Sequence, residues 1–291
     1  MNLKIFTLLV LFVILFVLII TYDRKNKYNN RKFNFILLIN RWPSIYKKFR
    51  FNNVTIDKFN NKINSYHMCK KLKIPVPELY YNGNYNLISE SVFYNKAFVI
   101  KPANGSSSNG VFPVVKHKNN TYINIFNNNI LRKTDFNSIF NNVNVIVEEF
   151  ILDTNGNYTI PDDYKFFCFK GKLEFLKHRY LDNKTKKYHF NYYDMDWNVI
   201  DINLEVPNKQ IRSKKIKKPL NFDKMKEYCQ KISSKVFSQV FVRLDFYLNL
   251  DQPVFGEVTP EPLGGIGYSK KGIEFLDNLC RKHNLNLDFY K

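Results

Sequence analysis

The sequence predicts an α+β fold behind a single N-terminal membrane-spanning helix. Three features carry that prediction. Apolar and aromatic residues alternate with polar ones over 241–247 and again over 254–259, the period of half-buried strands. Residues 57–72 and 223–237 instead show helical spacing. Ahead of both, residues 5–22 carry no charge at all. The boundaries expected are an anchor over 1–22, a basic linker over 23–53 and one catalytic-sized domain over 54–291.

The N-terminal run comes first. Eighteen residues of helix span about 27 Å, close to the thickness of a bilayer core. The charged, bulky exit Asp23-Arg24-Lys25-Asn26-Lys27 lacks the small residues of a cleavage site, which favours an uncleaved anchor. Only Lys4 and the α-amine precede it, whereas Arg24, Lys25, Lys27, Arg31 and Lys32 follow. The positive-inside rule therefore places the following domain in the cytosol. The sequons at Asn53, Asn157 and Asn183 do not decide the side, because Asn is so common here.

Within the domain, Pro75 and Pro77 end the first helix. Residues 98–102 form a short strand ending in Lys101, and 111–115 form another. Between them lies Ala103-Asn104-Gly105-Ser106-Ser107-Ser108-Asn109-Gly110, a flexible run rich in backbone and hydroxyl donors. Residues 143–150 read as a strand ending in Glu148-Glu149. Residues 163–169 and 172–177 read as a hairpin turning at Lys170-Gly171. Residues 278–291 look like a polar helical tail.

Composition excludes less than the charge suggests. The net charge of +20 would ordinarily point to a polyanion partner. Abundant Asn, Lys, Ile, Phe and Tyr with scarce Ala and Gly is the signature of an AT-rich genome, so lysine surplus is weak evidence. No nucleic-acid motif accompanies it, and no specific nucleic-acid partner is expected. The basic run 212–218 reads as an exposed loop. The four cysteines, Cys69, Cys168, Cys229 and Cys280, are too far apart for a zinc knuckle or a disulfide framework and suit buried apolar positions. Oligomeric state is left open.

The chemistry concentrates near the C-terminus. Antiparallel pairing of 241–247 with 254–259 brings Asp245 beside Glu257, and two carboxylates sharing a buried face need a cation between them. Mg²⁺ that also bridges phosphate oxygens suits such a pair. The loop 104–110 can wrap phosphate, with Lys101 at its edge as a point charge and Lys58 and Lys165 as further candidates. It is neither a Walker A loop nor a dinucleotide fingerprint. Taken alone, the acid pair reads equally well as an ordinary hairpin, the loop reads better as a hairpin linker, and any one lysine reads better as a solvated side chain.

In order, the pieces resemble the TupA-like branch of the ATP-grasp superfamily. The likeness runs over residues 57–268 and rests on Asp57-Lys58, Phe98-Val99-Ile100-Lys101-Pro102, the Gly/Ser loop, Val147-Glu148-Glu149-Phe150-Ile151, Pro161-Asp162-Asp163-Tyr164-Lys165, Asp194-Met195-Asp196-Trp197, Arg243-Leu244-Asp245 and Gly256-Glu257-Val258-Thr259. The resemblance implies two α+β subdomains gripping ATP. It implies that Lys58, Lys101 and the loop hydroxyls Ser106 and Ser107 meet the phosphates. Glu148 would receive the adenine amino group, with backbone at Glu149 and Ile151 completing a hinge. Asp163 would bind ribose and Lys165 would face the phosphates. Asp245, Glu257 and Thr259 would hold Mg²⁺, Thr259 standing where many ATP-grasp enzymes carry Asn. Arg243 would stabilise the transferring phosphoryl group. The implied activity is ligation of a carboxylate to an amine through an acyl phosphate, on a cell-surface or glycan-type precursor. Arg179 could meet an acidic acceptor. The rival reading is a membrane-anchored glycosyltransferase or sugar kinase, for which Asp194-Met195-Asp196 would hold the metal. A degenerate binding protein is the third reading, disfavoured by the intact set of Lys101, Arg243, Asp245 and Glu257.

Overall fold

A computed structural model describes residues 34–285 except 105–109, 183, 207–209, 214 and 251. In chain order the elements are helices α1 (Asn34–Asn40) and α2 (Trp42–Tyr46), strands β1 (Arg50–Phe51) and β2 (Val54–Thr55), helix α3 (Lys62–Lys71), and strands β3 (Leu79–Asn84), β4 (Ala97–Pro102), β5 (Phe112–Lys116), β6 (Thr121–Asn124) and β7 (Ile130–Arg132). Helix α4 (Lys133–Phe140) and strand β8 (Asn144–Glu149) complete the first half. The second half holds β9 (Asp163–Phe169), β10 (Lys172–Leu181), β11 (Tyr188–Tyr193), β12 (Ile211–Arg212), α5 (Phe222–Val236), β13 (Phe241–Asn249), β14 (Gln252–Thr259) and α6 (Lys270–Lys282).

Two six-stranded sheets result, ordered β3-β8-β4-β5-β6-β7 and β12-β11-β10-β9-β13-β14. Each has its own apolar cluster, as two subdomains require. In the first, Phe98, Ile100, Val145 and Val147 meet Phe136 and Phe140 of α4. In the second, α5 packs Phe222 and Cys229 against Phe166 and Cys168 of β9. The opposite face changes character along its strands. At one end Phe169 and Phe241 pack against Phe35 of α1. Toward the other end the same strand faces carry Lys165, Lys177 and Arg243.

Several expectations are met residue for residue. The β9–β10 turn places Lys170 and Gly171 both at positive φ, 46° and 78°, as a two-residue hairpin demands. Strands β13 and β14 pair antiparallel with Asp245 directly opposite Glu257. All four cysteines are buried and free.

Other expectations need correction. The helix expected from Asp57 is a 3₁₀ turn (Ile56–Asn60) followed by α3. Asn61 is extended there, and its side chain caps the N–H groups of Ile63 and Asn64. The linker expected through residue 53 is folded from residue 34 onward. Phe35, Leu38 and Ile39 lie one helical turn apart and enter the core with Ile45 and Tyr46. The polar tail expected from residue 278 begins with the last residues of α6, where Leu279 and Cys280 are buried, and Leu285 beyond the helix is buried too; residues 286–291 lie outside the described residues. Arg212, expected in a loop, lies in β12, and its guanidinium donates to the carbonyls of Ile200 and Ile202. Among the described residues no helix is long and apolar enough to cross a membrane; the run 5–22, where the span is expected, lies outside them.

Candidate active site

Strand alternation builds the site. On β4, Phe98 and Ile100 point into the first core while Val99 and Lys101 face a cleft. On β8 the same split sends Val145 and Val147 inward and Ile146 and Glu148 to the cleft. The opposing wall comes from the second sheet, whose strands present Asp163 and Lys165 (β9), Lys177 and Arg179 (β10), Arg243 and Tyr247 (β13), and Glu257 and Thr259 (β14). The cavity between them measures about 1150 Å³.

Register sets the order of charges on that wall. Lys177 lies opposite Lys165, Lys165 opposite Asp245, and Asp245 opposite Glu257. Asp245 is enclosed. Arg243 donates to both its oxygens, Nε to Oδ1 and Nη2 to Oδ2, each at 2.7 Å, and Lys165 Nζ lies 2.6 Å from Oδ2. Burial opposes its charge, yet Arg243 and Lys165 hold the carboxyl far below its usual range. Arg243 Nη2 also donates to Thr259 Oγ1 at 3.1 Å and approaches Glu257 Oε1 at 3.5 Å. Thr259 Oγ1 in turn lies 3.1 Å from Glu257 Oε1. The cation required between the two acids is thus supplied by the chain as a guanidinium.

Asp163 is paired with Arg179, whose Nε donates at 2.8 Å, and with Lys165 at 3.3 Å. Against the penalty of burial, these two cations keep it ionised below the usual carboxylate range. Lys177 is bonded to Glu205 at 2.5 Å and to Gln210 at 2.9 Å, and Tyr192 also donates to Glu205. Burial lowers Lys177 to about 8 in spite of Glu205.

A second cluster sits on the facing wall. Lys101 is ion-paired with Glu148, and Tyr66 of α3 donates to the other Glu148 oxygen at 3.0 Å. Lys62, the first residue of α3, stands beside them. Burial works against the charge on Lys62, but Glu148, Glu257 and Asp245 raise its affinity for a proton. Burial lowers Lys101, and the neighbouring Lys62 ammonium lowers it further. Two lysines crowded around one carboxylate leave cationic charge directed at the cleft, a setting for a polyanion.

The residues expected from the sequence divide as follows. Lys58, Lys101, Glu148, Glu149, Ile151, Asp163, Lys165, Arg243, Glu257 and Thr259 all line the one cleft. Ser106 and Ser107 lie outside the described residues, although their neighbours Asn104 and Val111 line it. Asp245 lies behind Arg243 and Lys165, with 1% of its side chain exposed against 43% for Glu257. Glu148, expected to receive an adenine amino group, is instead engaged with Lys101 and Tyr66. Asp163, expected on ribose, is engaged with Arg179 and Lys165. Lys62, Lys177, Glu205 and Gln210 line the cleft in addition to the residues expected from the sequence. For Lys177 a signal existed: it stands two residues before Arg179 on a strand, so both share a face. For Lys62 and Glu205 none did. Asp194 of the rival motif is spent on its own loop, accepting from the backbone of Asp196 and Asn198 at 2.9 and 2.8 Å, and does not line the cleft.

The donor set suits a hard cation bound together with a phosphate ligand. Among the described residues no group of three His, Cys, Asp or Glu would hold a metal on its own. Glu257 and Thr259 offer oxygen donors at the cleft surface with Asp245 beneath. Mg²⁺ characteristically takes one or two carboxylates and fills its shell with water and phosphate oxygens. The residues therefore fit that ion.

The structure resembles D-alanine–D-alanine ligase from Helicobacter pylori (16% identity, 80% of this chain and 58% of that one, TM-score 0.42). It also resembles D-alanyl-alanine synthetase A from Vibrio cholerae (14% identity, 79% and 66%, TM-score 0.48). A third likeness is to the ATP-grasp ligase PsnB complexed with its minimal precursor (12% identity, 80% and 64%, TM-score 0.45). The chain thus spans roughly three fifths to two thirds of the length of these three structures. No curated protein matches it. The model of the TupA-like ATP-grasp family matches residues 45–276, which contain the two sheets, α3 and every cleft residue named above. The chain belongs to the TupA-like ATP-grasp family.

Proposed function

We propose that this protein is a membrane-anchored, ATP-dependent carboxylate–amine ligase with its catalytic domain in the cytosol, acting on a cell-surface or glycan-type precursor. One observation carries the reading. A single cleft receives Lys62 and Lys101 from one wall and Lys165, Arg243, Glu257 and Thr259 from the other. That is the charge pattern phosphoryl transfer needs, cations for phosphate oxygens beside hard donors for a divalent ion.

Each residue then has work suited to its position. Lys62 and Lys101 offset charge on the nucleotide phosphates, with Glu148 and Tyr66 positioning Lys101. Backbone groups near Glu149 and Ile151 border the base. Asp163 orients Arg179 and Lys165. Arg243 and Lys165 meet the transferring phosphoryl group, and Asp245 keeps both cations in place. Mg²⁺ held by Glu257 and Thr259 would supply further neutralisation of phosphate charge. An acceptor carboxylate oxygen forms a bond to the γ-phosphorus as the bond to the β–γ bridging oxygen breaks and ADP leaves. An amine nitrogen then bonds to the acyl carbon, the carbon–oxygen bond to phosphate breaks, and the amine gives up a proton to water. Lys177 and Arg179, both on β10, lie two strands from Asp245 on β13, on the side where an acidic acceptor would enter.

The experiment is a thermal-shift titration with Mg·ATP, followed by ADP release against panels of uronic acids and amino acids. Stabilisation by Mg·ATP that disappears in Lys101→Ala supports the reading. A shift with UDP-sugars and none with ATP overturns it in favour of a glycosyltransferase.

A further inference from the structure

Apolar side chains are exposed at one rim of the cleft. Ile266 is 87% exposed and Val206 50%, and Leu263 and Leu37 are also exposed. The segments that carry them adjoin one another. Helix α1, which carries Leu37, contacts both the Pro262–Gly265 turn and α6. The Leu263 side chain lies against Gly267, and the Val206 N–H bonds the Gly267 carbonyl at 3.0 Å. Exposed Arg41 and Lys270 border the patch at the end of α1 and the start of α6. Leu263 and Gly264 also line the cleft, so the patch is continuous with its mouth.

Two further observations say what covers it. Eleven residues separate Tyr22, the end of the uncharged run, from Asn34, the start of α1. A chain of that length reaches at most about 40 Å, so an anchored domain is held close to the bilayer with α1 nearest the tether. The patch itself mixes bulky apolar groups with basic ones, the composition that settles into the headgroup region of an anionic membrane.

We propose that the surface formed by Leu37, Arg41, Val206, Leu263, Ile266 and Lys270 docks onto an anionic phospholipid bilayer, so that the cleft opens at the membrane. The inference rests on the anchored reading above and adds an orientation to it. An acceptor held in the membrane would then reach Arg243 and Lys177 without leaving the surface.

The full chain is reconstituted in nanodiscs of phosphatidylcholine and phosphatidylglycerol containing doxyl-labelled lipid. The environment-sensitive dye NBD is attached at Ile266→Cys or, as control, at Leu87→Cys. The four native cysteines are buried, and Leu87 is exposed on the first sheet's subdomain, so labelling is selective and neither change disturbs the core. Quenching at position 266 with none at 87 is the expected result, weakening with added salt or in discs of phosphatidylcholine alone. Equal emission at both positions in a disc-bound chain overturns the docking surface and leaves the anchor standing. A blue shift at 266 without lipid quenching overturns it too, and assigns the patch to another part of this chain. Failure to co-elute with discs refutes the anchor and the surface together.

Discussion

The two facing acids, Asp245 and Glu257, are expected to behave oppositely when removed. Asp245 is wholly buried and accepts three charge-assisted hydrogen bonds, two from Arg243 and one from Lys165. Asp245→Asn strands two buried cations, and breaking a buried pair in this way costs about 3–5 kcal/mol. Glu257 is partly exposed, and its ion pair with Arg243 spans 3.5 Å. Glu257→Ala should cost under about 1 kcal/mol, as exposed pairs do. Ligand response reverses the ranking. At a hundredfold excess over Kd, Mg·ATP should stabilise the wild type by about 2.7 kcal/mol. For a domain of this size that corresponds to a rise in Tm of about 5–10 °C. Glu257→Ala should keep the wild-type Tm without ligand and lose most of that rise. Urea unfolding measures the first effect and thermal melts with and without Mg·ATP the second. A full Mg·ATP shift in Glu257→Ala, or an Asp245→Asn chain as stable as wild type, refutes the division of labour.

Two further outcomes follow from local geometry. Burial raises the Asp277 carboxyl to about 6, although it accepts the Phe35 N–H at 2.9 Å. A carboxyl with a raised folded-state pKa stabilises the fold below its unfolded pKa, and that contribution is lost as pH rises from about 4 through about 6. Asp277→Asn keeps an acceptor for Phe35 and removes the titration, so its stability relative to wild type should grow across that window by about 1–2 kcal/mol after allowance for solvent screening. Urea midpoints at pH 4.5, 6 and 8 test it, and a pH-independent difference would contradict it. Gly171 sits at φ 78°, and an added β-carbon would lie 3.2 Å from the Ser234 Cα. Gly171→Ala should therefore destabilise by about 1–2 kcal/mol through strain and crowding, with Gly171→Asn less costly in φ but no less crowded. Equal denaturation midpoints for wild type and Gly171→Ala would count against that account.

How legible the molecule was depended on the range of the interactions involved. The β13–β14 hairpin could be read because alternation and a short turn are local. The facing of Asp245 and Glu257 follows once the register is right. The turn at Lys170-Gly171 could be read for the same reason. Helix α1 is not legible as part of the core, since Phe35, Leu38 and Ile39 make only one amphipathic turn next to a long apolar run. Asn61 is not legible as a cap because the preceding residues keep helical spacing through a 3₁₀ turn.

By itself the sequence determined strands β4, β5, β8, β9, β10, β13 and β14, the faces on which their charged residues stand, and the facing of Asp245 and Glu257, because backbone geometry imposes a period of two on every strand. Only tertiary structure decided which charges satisfy one another. Arg243 fills the place left for a cation between Asp245 and Glu257, and Lys62 rather than Lys58 enters the ion cluster beside Lys101. Glu205, far along the chain, comes to neutralise Lys177. These pairings depend on how closely α3 and the two sheets approach in space, and Coulomb energy at a few ångströms has no counterpart in residue spacing.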